Sequence, residues 1–491
     1  MYRKEYTETI FRTGSHTSRK SSVKQHEMAA LREMEQMILA AEAVPAGAEA
    51  LERATAHLEQ FLQQVRQKRI LDEKQRAMEA FRQQFENGYT WRNGFLRNVA
   101  RFGDREALIE PESGTVWTYT QLNAEANRLS HALLRAGLQK GDVVMVQLHN
   151  CPEFVFAYLA CHKTGMVFCP VNFRLSAKEI TDCMDNSRPK VFLLEPETQA
   201  EVDMALRRTA HAPQILLTTD ARAAHAYADF TADCPATEPE LPWELSVYDE
   251  TLRLFTSGTT GRQKSVCLTS INEVLSAHDV MIHFPFSFTD RSMNTTPWFH
   301  RGGLHSGGIT PTLYAGGTVI IQRKFQPEKT LDMVQQYGLT FLIGVPNVLE
   351  LLAEAQQKQP RDLSSLRGIV TMGSPLERAD CIRYQKILTK RIFNGYGTTE
   401  TFWNTFLRPD DLPEMAGSAG RSCVDDDVRV IKVYEDRVAE PDDLAATDGS
   451  EVGEVIIRSN AKSAAFYFGN PAETRRRFHD GFFYTNDLGT W

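Results

Sequence analysis

The stretch Leu254-Phe255-Thr256-Ser257-Gly258-Thr259-Thr260-Gly261-Arg262-Gln263-Lys264-Ser265 decides how this chain is read. The apolar run Thr251-Leu252-Arg253-Leu254-Phe255 leads into it and predicts a short buried strand. Hydroxyl residues at 256, 257, 259 and 260, glycines at 258 and 261, and Lys264 then follow in close order. Backbone N–H groups opened by the glycines, together with the hydroxyls and the ammonium, make a cradle for a polyphosphate. An ordinary Gly/Thr-rich turn is the bland alternative. The P-loop form of such a cradle requires G-x-x-x-x-G-K-[ST]. Here Gln263 stands where that pattern needs its second glycine, and no apolar strand ending in a metal-holding Asp follows at a suitable distance. The P-loop reading is set aside on those two grounds.

Around this stretch the chain has ordinary globular composition: 491 residues, 42% hydrophobic and 24% charged. That length predicts roughly three folding units with ample core. A net charge of −8 gives no support to a nucleic-acid groove or an anionic membrane surface. The eight cysteines are scattered without a C-x-x-C pair, which predicts a reduced, cytoplasmic complement rather than a disulfide framework or zinc site. No apolar run is long enough to span a bilayer.

Residues 1–24 are basic and hydroxyl-rich without an apolar h-region, so a disordered tail is expected. Residues 25–88 are rich in Gln, Glu, Ala and Arg. Their apolar positions fall at helical spacing: Leu31, Met34 and Ile38, then Leu51, Ala54, Leu58, Phe61 and Val65, then Leu71, Met78, Phe81 and Phe85. Pro45 and Gly47 interrupt the first stripe, and Gly88 stands at a C-cap position. A helical hairpin and a longer bent helix both satisfy this pattern. The extension serves either as a coiled-coil arm for a partner or homo-oligomer, or as an appendage packed on the main domain.

From residue 89 onward the texture is mixed α/β. Helices are predicted over 91–102, 121–136 (with Thr120 as N-cap), 152–164 and from Ser270. Apolar runs at 106–109, 143–148, 166–170, 318–321, 341–346 and 368–373 predict strands. This alternation implies mostly parallel sheets flanked by helices. Past about residue 405 the helices thin out, and the short runs at 428–433 and 453–458 predict a small β subdomain with antiparallel pairing.

Three later segments, taken with the opening stretch, carry a resemblance. Asn394-Gly395-Tyr396-Gly397-Thr398-Thr399-Glu400, Gly453-Glu454-Val455-Ile456-Ile457-Arg458 and Gly481-Phe482-Phe483-Tyr484-Thr485-Asn486-Asp487-Leu488-Gly489 follow in order. With Thr256-Ser257-Gly258-Thr259-Thr260-Gly261-x-x-Lys264, they resemble the signature motifs of the acyl-adenylate-forming enzymes. That superfamily comprises the acyl- and aryl-CoA ligases, the luciferases and the peptide-synthetase adenylation domains. The resemblance covers residues 89–491 and implies a large adenylation domain after the helical extension. Weaker matches lie at Trp117-Thr118-Tyr119-Thr120-Gln121-Leu122 and at residues 159–175.

The resemblance implies ATP-dependent activation of a carboxylic acid to acyl-AMP, with Mg²⁺ as cofactor and CoA as co-substrate. On it, Thr256, Ser257, Gly258, Thr259, Thr260, Gly261 and Lys264 grip the β/γ-phosphates. Thr399 contacts the α-phosphate, and Glu400 with Thr256 holds Mg²⁺. Tyr396 stacks on adenine, Ser374, Asn394 and Gly395 line the base pocket, and Asp487 accepts from the ribose hydroxyls. His300, in Pro297-Trp298-Phe299-His300, orients the substrate carboxylate. Taken singly, Glu400 reads as a solvated acid, Asp487 as a turn residue and His300 as structural.

Three departures stand out. Gln263 replaces the proline usual before the cradle lysine, and Asn486 replaces the glycine before the ribose aspartate, a position where Asn tolerates left-handed backbone. The sequence stops at Trp491, ahead of the family's hinge and mobile C-terminal domain with its catalytic lysine. The expectation is slow adenylation and no thioester formation without that domain, or a C-terminal domain acting in trans. The rival reading is an impaired nucleotide- or acyl-binding module whose helical arm recruits a partner.

Overall fold

The computed structural model describes Arg32, Gln36 and residues 47–256, 263–459 and 462–491. The chain divides into two units, Met1–Gln83 and Gln84–Trp491. The predicted tail and the stripe at Leu31, Met34 and Ile38 lie outside the described residues. Helix α1, Gly47–Gly88, is a single continuous helix, and its Ile70, Leu71, Met78 and Phe81 are exposed. Among the described residues no helix is long and apolar enough to cross a membrane. The eight cysteines are free and buried.

The second unit is built on three sheets. The six-stranded sheet runs in the order Ile215–Thr218, Val191–Leu194, Val143–Gln147, Val167–Pro170, β1 (Glu250–Thr256), β2 (Lys264–Thr269). Its pairs are parallel except the last, where β1 and β2 form an antiparallel hairpin. Every residue of Val143–Gln147 is buried, as expected of an apolar strand covered on both faces. Helix α2, Ser270–His283, follows the hairpin, and the short helix α3, Arg301–His305, lies further along the chain. The cradle therefore joins two strands, and Lys264 stands at the head of β2.

The nine-stranded sheet runs Thr115–Thr118, Glu106–Glu110, Thr318–Ile320, Arg291–Asn294, Phe341–Gly344, β3 (Gly368–Met372), β4 (Ile392–Thr398), β5 (Phe402–Leu407), Arg421–Ser422. It is parallel through the centre and antiparallel at both margins. The small antiparallel sheet orders Asp427–Ile431, β6 (Gly453–Arg458), β7 (Phe482–Gly489), Phe478–His479. Between β6 and β7 the seven-residue helix α4, Pro471–Arg477, returns the chain toward the hairpin.

The largest apolar cluster gathers Trp91, Tyr119, Tyr158, Phe168 and Trp298, all essentially sealed from solvent. A second collects Leu342, Leu352, Ile369 and Ile392 from the nine-stranded sheet and its covering helices. One predicted boundary is corrected. The helix expected over 121–136 is Tyr119–Arg135, capped by Thr118 rather than Thr120. The Thr118 hydroxyl accepts from the Gln121 N–H, and the Gln121 side chain accepts from the Thr118 N–H at 2.9 Å. This reciprocal pair satisfies two orphan donors at once and outcompetes the single cap that Thr120 offers.

Candidate active site

Thr256 ends β1 and faces Lys264 across the hairpin register. Ser257, Gly258, Thr259, Thr260 and Gly261 lie outside the described residues. Lys264 is nearly enclosed and pairs with Glu473. Its ammonium also lies 5.4 Å from the centre of the Tyr467 ring. Glu473 sits in the first turn of α4, where the Asn470 side chain caps its N–H at 3.1 Å and Pro471 opens the helix. Burial pushes the Glu473 carboxyl upward, but Lys264 and Arg476 outweigh it and hold the group below the usual carboxylate value.

Tyr467 connects this lysine to the acidic turn. Its hydroxyl donates to Glu400 Oε1 at 2.5 Å, while the adjacent Phe468 N–H donates to the Ser265 carbonyl at 2.9 Å and fastens the segment to β2. Burial and the Glu400 charge raise the Tyr467 pKa, so its phenol remains a donor. Glu400 itself is buried, and its carbonyl accepts from the Ala464 N–H at 2.7 Å. Lys264 and Glu400 thus flank one tyrosine.

The turn carrying Thr399 and Glu400 is held from several sides. Thr398 and Thr401 join their hydroxyls at 3.0 Å, and Phe402 adopts φ 65°. Gly397 is required there, because a Cβ would lie 1.5 Å from the Phe402 carbonyl oxygen. Tyr396 and Asp487 are brought together, the phenol donating to Asp487 Oδ2 at 2.7 Å. Burial and that carboxylate raise the Tyr396 pKa. Asn486 takes φ 61°, the left-handed backbone its position demands.

Asn394 on β4 is buried, and its Oδ1 has no hydrogen-bond partner among the described residues; the same holds for the Thr371 hydroxyl on β3. An orphaned buried acceptor suits the exocyclic amine of adenine. Gly395 follows on the same strand, and Ser374 lies exposed in the turn after β3. His300 stands at the N-cap of α3, its ring 4.0 Å from that of Phe299. The ring reaches solvent, yet the protein packed around it lowers its pKa and keeps the imidazole neutral. His300 makes no hydrogen bond to the Glu400 turn among the described residues; its neighbour Arg301 does, donating to the Thr399 carbonyl at 2.6 Å.

Glu473, Tyr467, Arg301 and Lys462 are site residues that the sequence reading passed over. Asn470-Pro471-x-Glu473 was a legible helix start, whereas the other three carry no local signal. Asp279, His283 and Cys423 are grouped closely enough to ligate a metal. The Lys462 ammonium, however, lies 3.0 Å from Asp279 and 2.9 Å from Asp426, so a cation already balances that cluster.

The AMP-binding enzyme family matches residues 95–467. An indoleacetate–CoA ligase of Aromatoleum aromaticum is 30% identical over 396 residues, covering 79% of this chain and 74% of that protein. A feruloyl-CoA synthase of an Amycolatopsis species is 32% identical over 395 residues, with the same coverage of 79% and 74%. The crystal structure of the N-terminal domain of FACL13 from Mycobacterium tuberculosis matches with a TM-score of 0.72 at 26% identity, covering 82% of this chain and 97% of that one. ATP-bound MatB from Rhodopseudomonas palustris matches with a TM-score of 0.69 at 25% identity, covering 81% and 76%. The family match, the relatives and the fold together define an AMP-forming enzyme of the acyl-CoA ligase type. The chain belongs to the AMP-binding enzyme family.

Proposed function

We propose that this protein joins an acyl or aryl carboxylic acid to AMP and, when a C-terminal domain is available, passes the acyl group to the CoA thiol with release of AMP. A carboxylate oxygen attacks the α-phosphorus of ATP, the bond to the β-phosphate oxygen breaks, and pyrophosphate leaves. The observation that carries this reading is the convergence of Lys264 and Glu400 on Tyr467, which sets a cation for the leaving phosphates beside an acid able to hold a metal. Thr256, Ser257, Gly258, Thr259, Thr260 and Gly261 complete the phosphate grip with Lys264, and Thr399 meets the α-phosphate. Glu400 and Thr256 would hold Mg²⁺, whose charge offsets that of the phosphoryl oxygens.

Tyr396 offers its face to adenine, and Asn394 Oδ1 accepts from the base amine. Gly395 and Ser374 line the same pocket. Asp487 spends one oxygen on Tyr396 and offers the other to the ribose hydroxyls. His300, neutral at working pH, orients the substrate carboxylate. Apolar residues exposed on α1 support the extension as a contact for a partner or a second copy.

Carboxylate-dependent ATP–pyrophosphate exchange over a panel including indoleacetate, ferulate and a long-chain fatty acid tests the reading. It is run with the full chain alone and with an adenylating-enzyme C-terminal domain added. Exchange with at least one acid is expected. Silence across the panel in both arms overturns the proposal in favour of a binding module.

A further inference from the structure

Arg301 is buried at the start of α3, next to His300, and is surrounded by the carboxylates of Glu273, Asp279, Glu400 and Asp426. Yet its shortest hydrogen bonds reach main-chain carbonyls. Nη1 donates to the Thr399 oxygen and Nη2 to the Lys462 oxygen, both at 2.6 Å. A third, longer bond at 3.2 Å runs from Nη2 to the Ser276 hydroxyl on α2. The guanidinium also lies 5.4 Å from the centre of the Phe402 ring.

These contacts join three segments that meet nowhere in sequence. The Thr399 carbonyl precedes Glu400, and Lys462 opens the stretch whose Ala464 N–H holds the Glu400 carbonyl and whose Tyr467 holds its side chain. The planar fork of arginine reaches two carbonyls and a hydroxyl at once, which the point charge of lysine does not reproduce.

We infer that Arg301 is a positioning residue that fixes the Thr399–Glu400 turn against the Lys462–Tyr467 stretch, so that the Glu400 carboxylate is aimed for Mg²⁺·ATP. The inference rests on the adenylation reading and adds to it a device for aligning the metal-holding acid. It also explains why a full positive charge is buried where the turn needs only carbonyl acceptors satisfied: charge-assisted bonds are the shorter and stronger kind.

The test compares full-length wild type with Arg301→Lys and Arg301→Gln. Exchange is followed against Mg²⁺ and against acid, and Mg²⁺-dependent ATP binding is measured by calorimetry. Misplacement of a positioned group by about an ångström costs on the order of a hundredfold in rate. The expected result is a loss of roughly that size in kcat, a Mg²⁺ half-saturation raised about tenfold or more, and a KM for the acid within about threefold of wild type.

Asp290→Asn, which weakens the part-exposed Arg367–Asp290 pair, is the control for a charge pair that touches none of the Arg301 contacts and should leave the Mg²⁺ half-saturation unchanged. If both Arg301 variants fail to fold, Ser276→Ala removes only the longest of the three bonds and should move the Mg²⁺ dependence in the same direction by a smaller factor. Equal Mg²⁺ dependence in wild type and variants overturns the inference while leaving adenylation standing. Absence of exchange in wild type with every acid overturns the adenylation reading; the calorimetric comparison then decides the inference alone, and no Mg²⁺-dependent ATP binding by wild type overturns it too.

Discussion

Glu473→Gln is the perturbation that interrogates the phosphate lysine most directly. Lys264 and Glu473 are about nine-tenths enclosed and paired, so phosphates that bind Lys264 share its ammonium with a carboxylate. Breaking a buried pair by removing one partner costs about 3–5 kcal/mol when the survivor is fully sealed. Lys264 keeps about a tenth of its side chain in solvent with the Tyr467 ring beside it, so about 1–3 kcal/mol of stability loss is expected. Arg476 pairs with the same carboxylate but is itself exposed, and its loss adds little.

The nucleotide side has the opposite sign. A charge-assisted hydrogen bond contributes about 1.5–3 kcal/mol net. If half of that is recovered when ATP no longer shares Lys264 with Glu473, the KM for ATP falls roughly three- to twelvefold. Steady-state exchange against ATP concentration, alongside thermal unfolding of the same protein, measures both effects. Lys264→Gln in parallel should raise the KM for ATP. A KM that rises in Glu473→Gln as it does in Lys264→Gln would refute the competition argument and make Glu473 a group that aims the lysine.

Glu400→Gln should abolish Mg²⁺-dependent exchange while the circular dichroism spectrum stays that of the wild type; unchanged exchange would remove Glu400 from the metal site. Gly397→Ala forces a methyl group to within 1.5 Å of a carbonyl oxygen, so the Glu400 turn must shift, with exchange lost and stability lowered by about 3 kcal/mol or more. Normal activity in that variant would mean the turn relaxes freely. His162 is sealed between Trp91 and Tyr158, and burial, partly offset by Glu273, lowers its pKa from 6.5 to about 4. Between those values the unfolded chain binds the proton and the folded chain refuses it, so stability falls as pH drops from 6.5 to 4. The loss is roughly 3 kcal/mol at most. Chemical denaturation across that range should show a flatter dependence in His162→Gln, and an unchanged slope would sink the assignment.

What the sequence by itself determined is local and periodic. The run at 143–148, apolar except for Gln147, predicted a strand covered on both faces. Asn486 marked a position of left-handed backbone, and the Asn470-Pro471 start announced a helix that was overlooked. The family resemblance, rather than periodicity, pointed to Lys264, Thr399, Glu400 and Asp487 as candidate site residues. Even so, the helix cap at Thr118 was misplaced, because the decisive signal was the reciprocal pairing with Gln121 rather than either residue alone.

Tertiary structure alone decided which charges meet. Lys264 pairs with Glu473 across 209 positions, Arg301 reaches the Thr399 carbonyl across 98, and Tyr467 reaches Glu400 across 67. Local pattern fixes which face of a strand or helix is apolar and where a turn must bend. It carries no information on which distant segment the sheet order will lay alongside. The partners of a buried charge are chosen there, where desolvation leaves each ion or donor needing whatever acceptor the packing supplies.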